Sequence, residues 1–152
     1  DRLVDAKAVD AIRSELVPHA RLVTPNAPEA EVLTGKAVET VDGQRRAAEQ
    51  LLELGAHGAL VKGGHLGGKV VTDVLQTTTG EWIFESPRLD TKSTHGTGCT
   101  LASAIAALLA QGASVPEAVE QGRDYLMGAI RNAKGFGHGS GPVHHGWMLD
   151  EE

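Results

Sequence analysis

The sequence holds one cysteine, few aromatic residues, no long apolar run and no surplus of basic charge, and each shortage excludes something. With Cys99 alone, no intramolecular disulfide can form, and the usage fits a reducing, cytoplasmic compartment. The longest apolar run, Leu101 to Ala110, is broken by Ser103 and falls well short of the ~20 residues that cross a bilayer. No membrane association is expected. The formal net charge is −6 with seven histidines counted as neutral, which argues against the basic surface that nucleic acid requires. The chain opens on Asp1-Arg2 rather than on Met and a basic, then apolar, segment. No secretory leader is expected, and the chain reads as a piece of a longer protein.

What is present describes an ordinary globular chain: 152 residues, 41% hydrophobic and 22% charged, enough for one domain with a core. With only 3% aromatics and 19 glycines, that core must come from Ala, Val and Leu, joined by tight turns. Val4, Ala8, Val9, Ile12, Leu16 and Val17 recur at helical spacing until Pro18. Arg21 to Thr24 is a short β-branched run stopped by Pro25. A helix follows from Pro28 to a C-cap at Gly35, and another from an Asp42 cap to Gly55. Ala59 to Val61 reads as a buried strand, and Val70 to Leu75 with Trp82 to Phe84 as a hairpin. Thr100 to Leu109 is an Ala-rich helix, and Ser114 with Glu117 predicts a capping box for a last helix, Pro116 to Ala133. Helices alternating with short strands predict an α/β fold with a mostly parallel sheet covered on both faces and one inserted hairpin.

Two glycine loops compete for a phosphate. Gly63 to Lys69 fits G-x-x-x-x-G-K, but Val70 replaces the Ser or Thr that would hold magnesium. The residues beyond it are strand-like, so no helix N-terminus supplies amides to an anion. It reads as a flexible turn between strands. Thr94-His95-Gly96-Thr97-Gly98-Cys99-Thr100 instead leads from a loop into a helix. Glycines there let the backbone adopt positive φ and let an anion approach, while amides and the helix dipole converge on it. That suits a phosphoryl group in transfer, with Cys99 in the first turn placed to accept a proton. The same glycines also suit close helix–loop packing, with Cys99 a small buried hydrophobe.

The run from Thr94 through Cys99 to Ala107 resembles the signature of the hydroxymethylpyrimidine/phosphomethylpyrimidine kinases of the ribokinase superfamily. Most superfamily members carry Gly-Ala-Gly-Asp here; this family is similar to them but places Cys at the Asp position, as Cys99 stands here. Thr24-Pro25-Asn26-Ala27-Pro28-Glu29-Ala30 resembles the superfamily's N-x-x-E segment, and Lys62-Gly63-Gly64-His65 its strand-end K-G-G-H. Gly137 to His145 resembles the family's G-H-G-x-G-P-x-x-H ending. On their own, Asn26 and Glu29 also fit a helix N-terminus, Lys62 a solvated lysine, and His138, His144 and His145 a structural turn rather than a metal site.

The resemblance implies a ribokinase-like three-layer α/β/α sandwich. Residues 1–152 would be the C-terminal, nucleotide-binding part of a single domain whose N-terminal part, with the pyrimidine contacts, is missing. Asp1-Arg2-Leu3 would follow a loop near the phosphates. It implies Cys99 as catalytic base and Gly96, Thr97 and Gly98 as anion hole. Lys62, Asn26 and His95 would lie at ATP and its phosphates, and Glu29 would hold Mg2+ through water. Adenine would contact the last two helices and the loop between them. The substrate would be the hydroxymethylpyrimidine and then its monophosphate, in thiamine biosynthesis, with a homodimer in the full-length protein. Alternatives are a pyridoxal kinase of the same superfamily and a non-catalytic ligand-binding fragment.

Overall fold

The computed structural model describes residues 5–136 and 138–149. Asp1-Arg2-Leu3, Val4 of the first apolar pattern and Gly137 of the tail fall outside them. The chain divides into two compact units, Asp1–Arg88 and Leu89–Glu152, and each is described by itself.

In the first unit, α1 (Ala6–Ala11) is capped by Asp5, whose Oδ1 accepts from the Ala8 N–H at 2.8 Å. The helix then widens into a π turn over Ile12–Leu16, where the Val17 N–H donates to Ile12 O, and closes in a 3-10 turn over Val17–His19 that contains Pro18. The wide turn brings Val17, rather than Leu16, beneath Ile12. Val17 is buried and Ile12 packs on the core, while Leu16, expected on the apolar stripe, is 64% exposed.

Helix α2 (Ala27–Thr34) begins at Asn26 and ends at Gly35, as its turn residues predict. Helix α3 (Val41–Glu53) is capped by Thr40, whose Oγ1 accepts from the Gly43 N–H at 3.1 Å. Asp42 was the expected cap. It lies instead within the first turn and pairs with Arg45 at 2.8 Å, because Thr40 holds the extended backbone (φ −140°) that a cap needs.

The three-stranded sheet runs β1 (Gly58–Val61), β2 (Val70–Thr77), β3 (Gly80–Pro87), and both ladders are antiparallel. The hairpin is as expected, but the mostly parallel sheet is not what these strands form. Among the described residues of this unit, parallel pairing is limited to isolated bridges, Val23 with Ala59 and Asn26 with Lys62. Pro25 explains the interruption. The ladder proceeds from Val23 N to Gly58 O, Leu60 N to Val23 O and Lys62 N to Pro25 O, while the bond due from residue 25 has no N–H to make it. The buried core joins Ala47, Ala48 and Leu51 of α3 to Ala27 and Ala30 of α2 and to Ala59 and Val61 of β1, the small-residue interior that the composition predicts.

In the second unit, α4 (Thr97–Ala110) starts one turn earlier than its apolar pattern suggests, and α5 (Val115–Arg131) carries the Ser114/Glu117 capping box. Leu101 and Ile105 of α4 are buried, as are Ala118 and Val119 of α5. Gly122 lets the helices meet, since a side chain there would run into Ile105. The tail folds back over α5, where His144 N–H donates to Ala129 O at 2.9 Å and the Trp147 ring fills the space that Gly128 leaves. A 3-10 turn, Trp147–Leu149, ends the described chain. Among the described residues, no helix is long and apolar enough to cross a membrane.

Leu51 is fully buried and Leu149 is 86% exposed. A Leu51→Ala change is expected to cost about 2–5 kcal/mol, and Leu149→Ala no more than about 0.5 kcal/mol. Urea denaturation midpoints of the two variants check the assignment of the core.

Candidate active site

Helix α4 begins differently from the other α-helices among the described residues. Asp5, Asn26, Thr40 and the Ser114/Glu117 pair serve α1, α2, α3 and α5. Helix α4 has Gly96 as its N-cap, at φ 81° and ψ 3°, and no side chain caps it. The nearby hydroxyls are turned the other way. Thr97 Oγ1 donates to Thr94 O at 3.2 Å and Thr100 Oγ1 to Gly96 O at 2.8 Å. The amides of Thr97, Gly98 and Cys99 therefore stand at the positive end of the helix with no acceptor inside it. A Cβ at Gly96 would meet nothing within 4 Å, so glycine is needed there for its left-handed φ and not for room.

The loop before α4 is held from two directions. Ser93 is buried, and its N–H donates to Thr91 Oγ1 at 3.0 Å. The tail lies alongside, with His95 N–H donating to Gly141 O and Gly141 N–H to Lys92 O, both at 3.0 Å, and a parallel bridge between His95 and Pro142. The glycine-proline ending is thus more than a turn; it braces the loop that leads to the exposed amides. Sequence reasoning missed that role, which depends on a contact between distant residues.

Cys99 is exposed, so the reading of it as a buried hydrophobe does not hold. It opens with His95, Gly96 and Thr100 onto a groove of about 1080 Å³ within the second unit. Farther along α4 the lining mixes apolar Ala104, Ala107 and Leu108, with Tyr125, Trp147 and Met148, and polar Gln111, Gln121 and Asp124. Tyr125 and Trp147 are fixed there by backbone bonds: Tyr125 OH donates to His145 O at 2.7 Å and Trp147 Nε1 to Tyr125 O at 3.2 Å. The uncapped amides at the start of α4 suit an anion, and the Tyr125 and Trp147 rings in the lining offer faces for a flat ring.

The first unit brings Asn26, Glu29 and Lys62 together. Asn26 Oδ1 accepts from Glu29 N–H and Glu29 Oε2 from Asn26 N–H, each at 2.8 Å, forming a reciprocal capping box. Lys62 is bridged to Asn26 through the backbone, with its side chain half-buried. Glu29 is exposed. Among the described residues, no group of three or more His, Cys, Asp or Glu gathers as a metal site.

The Gly63–Lys69 loop joins antiparallel strands and has the wrong polarity for phosphate. Its carbonyls at Gly64, Leu66 and Gly68 accept from the Arg88 guanidinium, and the Arg88 N–H donates to Lys69 O at 2.8 Å. A phosphate cradle presents N–H groups inward; this loop presents oxygens to a cation. Nothing in the local sequence pattern marks Arg88 for this role.

The family model for phosphomethylpyrimidine kinase matches residues 1–144. A hydroxymethylpyrimidine/phosphomethylpyrimidine kinase of Streptomyces coelicolor is 47% identical over 151 residues, covering 99% of this chain and 56% of that protein. Among solved structures, the ADP complex of Bacillus subtilis pyridoxal kinase superposes with a TM-score of 0.90 at 34% identity, covering 97% of this chain and 58% of its own. A Clostridium difficile phosphomethylpyrimidine kinase gives 0.73 at 36% identity, covering 86% and 52%. The chain spans little more than half the length of these relatives.

Gly96→Ala is expected to destabilise the chain by about 1–2 kcal/mol through left-handed strain alone. Gly64→Ala, at a position equally open but with no positive φ, should change stability by no more than about 0.5 kcal/mol. Equal denaturation midpoints for the two variants would show that α4 does not begin through a left-handed residue.

Proposed function

The chain belongs to the phosphomethylpyrimidine kinase family, and from that premise we propose that it supplies the nucleotide-binding part of an ATP-dependent kinase. Its substrates are 4-amino-5-hydroxymethyl-2-methylpyrimidine and then the monophosphate, and its product is the diphosphate used in thiamine biosynthesis. The observation that carries this reading is the uncapped start of α4, with exposed Cys99 beside it and the groove beyond.

In this reading the amides of Gly96, Thr97 and Gly98 form the anion hole and stabilise the three equatorial oxygens of the phosphoryl group in flight. Cys99 Sγ takes the proton of the attacking hydroxymethyl group as its oxygen bonds to the γ-phosphorus and ADP departs. In the second reaction the attacking phosphate is already anionic at neutral pH, so the base matters less there. Lys62 neutralises phosphate charge as a point cation, His95 flanks the phosphates, and the groove between α4, α5 and the tail takes the adenine.

Asn26 and Glu29 fit a hard cation through water, since Glu29 keeps an exposed carboxylate while its capping bond orients it. Bound Mg2+ would offset the charge on the transferring phosphates. The same reading extends the sheet in the longer protein with parallel strands, giving a three-layer α/β/α ribokinase-like sandwich of which residues 1–152 are one part. It includes a cytoplasmic homodimer without nucleic-acid or membrane partners.

A second reading, pyridoxal kinase, is favoured by the similarity to the Bacillus subtilis pyridoxal kinase structure. Turnover of the two alcohols under identical conditions separates them.

Cys99→Ala should slow phosphorylation of the alcohol by about 10²–10⁴-fold, the range of a lost general base, and phosphorylation of the monophosphate by much less. Steady-state kinetics of both steps in the whole enzyme check this division. Equal slowing would assign Cys99 to something other than proton removal.

A further inference from the structure

The helix α3 side chain Gln44 is fully buried, an unusual setting for an amide. Its Nε2 donates to Val61 O at 2.9 Å and to Thr72 O at 2.8 Å, while its Oε1 has no partner. The orientation is unambiguous, because only the nitrogen can face two carbonyls. An orphaned buried oxygen costs stability, so the residue is poorly explained by stability alone.

Its location suggests what it does. The β1–β2 ladder runs from Gly58 with Thr77 to Val61 with Val74 and stops. At the next step the Gly63 N–H donates to the Asp73 carboxylate at 2.9 Å, and a side chain at Gly63 would collide with Thr72 O. Meanwhile Lys62 N–H donates to Pro25 O, and Lys62 bridges to Asn26. The regular pairing with β2 thus ends at Val61, Lys62 turns to the Pro25–Asn26 segment, and Gly63 stays against Thr72 and Asp73. The Gln44 amide is the wedge at that point, holding the carbonyls of both strands where the ladder ends.

We infer that Gln44 is a positioning residue that sets the strand end carrying Lys62 beside Asn26, with Asp73 fixing the following amide. This rests on the reading of Lys62 as a phosphate contact. Gln44 touches neither nucleotide nor substrate; it acts through the backbone of residues 61–63.

The test uses the full chain and two variants that differ in how they fail. Gln44→Met keeps the volume and removes the donors; Gln44→Asn keeps an amide too short to span both carbonyls. Leu51→Ala, in the same helix, is the control for simple loss of packing. Amide hydrogen exchange at Lys62 and Gly63 is compared with that at Leu60, and Mg-ATP affinity is titrated calorimetrically, with Lys62→Ala alongside. Both Gln44 variants should speed exchange at Lys62 and Gly63 about tenfold relative to Leu60. They should also weaken Mg-ATP binding about tenfold, the loss equivalent to one charged contact, whereas Leu51→Ala should do neither. If Lys62→Ala weakens Mg-ATP binding but the Gln44 variants behave like Leu51→Ala, the inference is overturned and the nucleotide reading stands. If Lys62→Ala leaves Mg-ATP binding unchanged, the nucleotide reading of Lys62 has failed and the inference falls with it.

Discussion

Backbone amides at the start of a helix must find acceptors, and at α4 no side chain among the described residues caps them. A side-chain cap typically stabilises a helix by about 1 kcal/mol, and the other α-helices among the described residues have a cap or a capping box. At α4 the hydroxyls of Thr97 and Thr100 point to carbonyls, and Gly96 contributes no side chain. The partial positive charge of the helix end is left facing outward. The surroundings of that end follow from it. The left-handed Gly96 turns the chain into the helix, the buried Ser93 anchors the loop from below, and Gly141-Pro142 clamps it from the side. Close packing of α4 on α5 through Gly122 keeps the direction of the dipole fixed. An exposed thiol lies in the first turn, and a groove with Tyr125 and Trp147 in its lining opens past it.

Features that depend on neighbouring residues were legible in the sequence. The Ser114/Glu117 box, the stop at Gly35 and the β2–β3 hairpin are written within a few residues each, and the structure has them. Features that depend on a distant partner were not. Alternating helices and strands suggested a mostly parallel sheet, yet β1 pairs antiparallel with β2, and its parallel neighbour is interrupted by Pro25. That proline was visible as a strand stop; which strand it would interrupt was not. Thr40 displaced Asp42 as a cap because the choice turns on backbone angles that the two residue types satisfy equally well. The π turn that exposes Leu16 is a response to packing around Val17, which no local period announces.

The site divides in the same way. Gly96 to Cys99 stood out as a loop entering a helix, but the glycines alone fitted close packing as well as an anion, and only the family resemblance separated the two readings; the structure adds that α4 starts at Gly96 without a side-chain cap and that Cys99 is exposed. Asn26 and Glu29 were ambiguous between a cap and a cation site, and the geometry shows why: each bonds the other's backbone, so the capping role is met while Glu29 remains exposed. Arg88 and Gln44 went unread. An arginine after a strand and a glutamine in an amphipathic helix both look like solvated surface, and only the fold reveals that one is surrounded by loop carbonyls and the other wedges a sheet. The glycine loop beside Lys62 shows the converse error to avoid, since its pattern approaches a phosphate loop while its carbonyls face a guanidinium.

The most direct test of the account is a titration of the ¹⁵N-labelled chain with Mg-ATP, followed amide by amide. Hydrogen bonds from Gly96, Thr97, Gly98 and Cys99 to phosphate oxygens should shift those resonances downfield by more than any in residues 64–68, and should slow their exchange with solvent. Unmoved amides at the start of α4, with the response confined to the Arg88-bound loop or spread evenly over the chain, would contradict it.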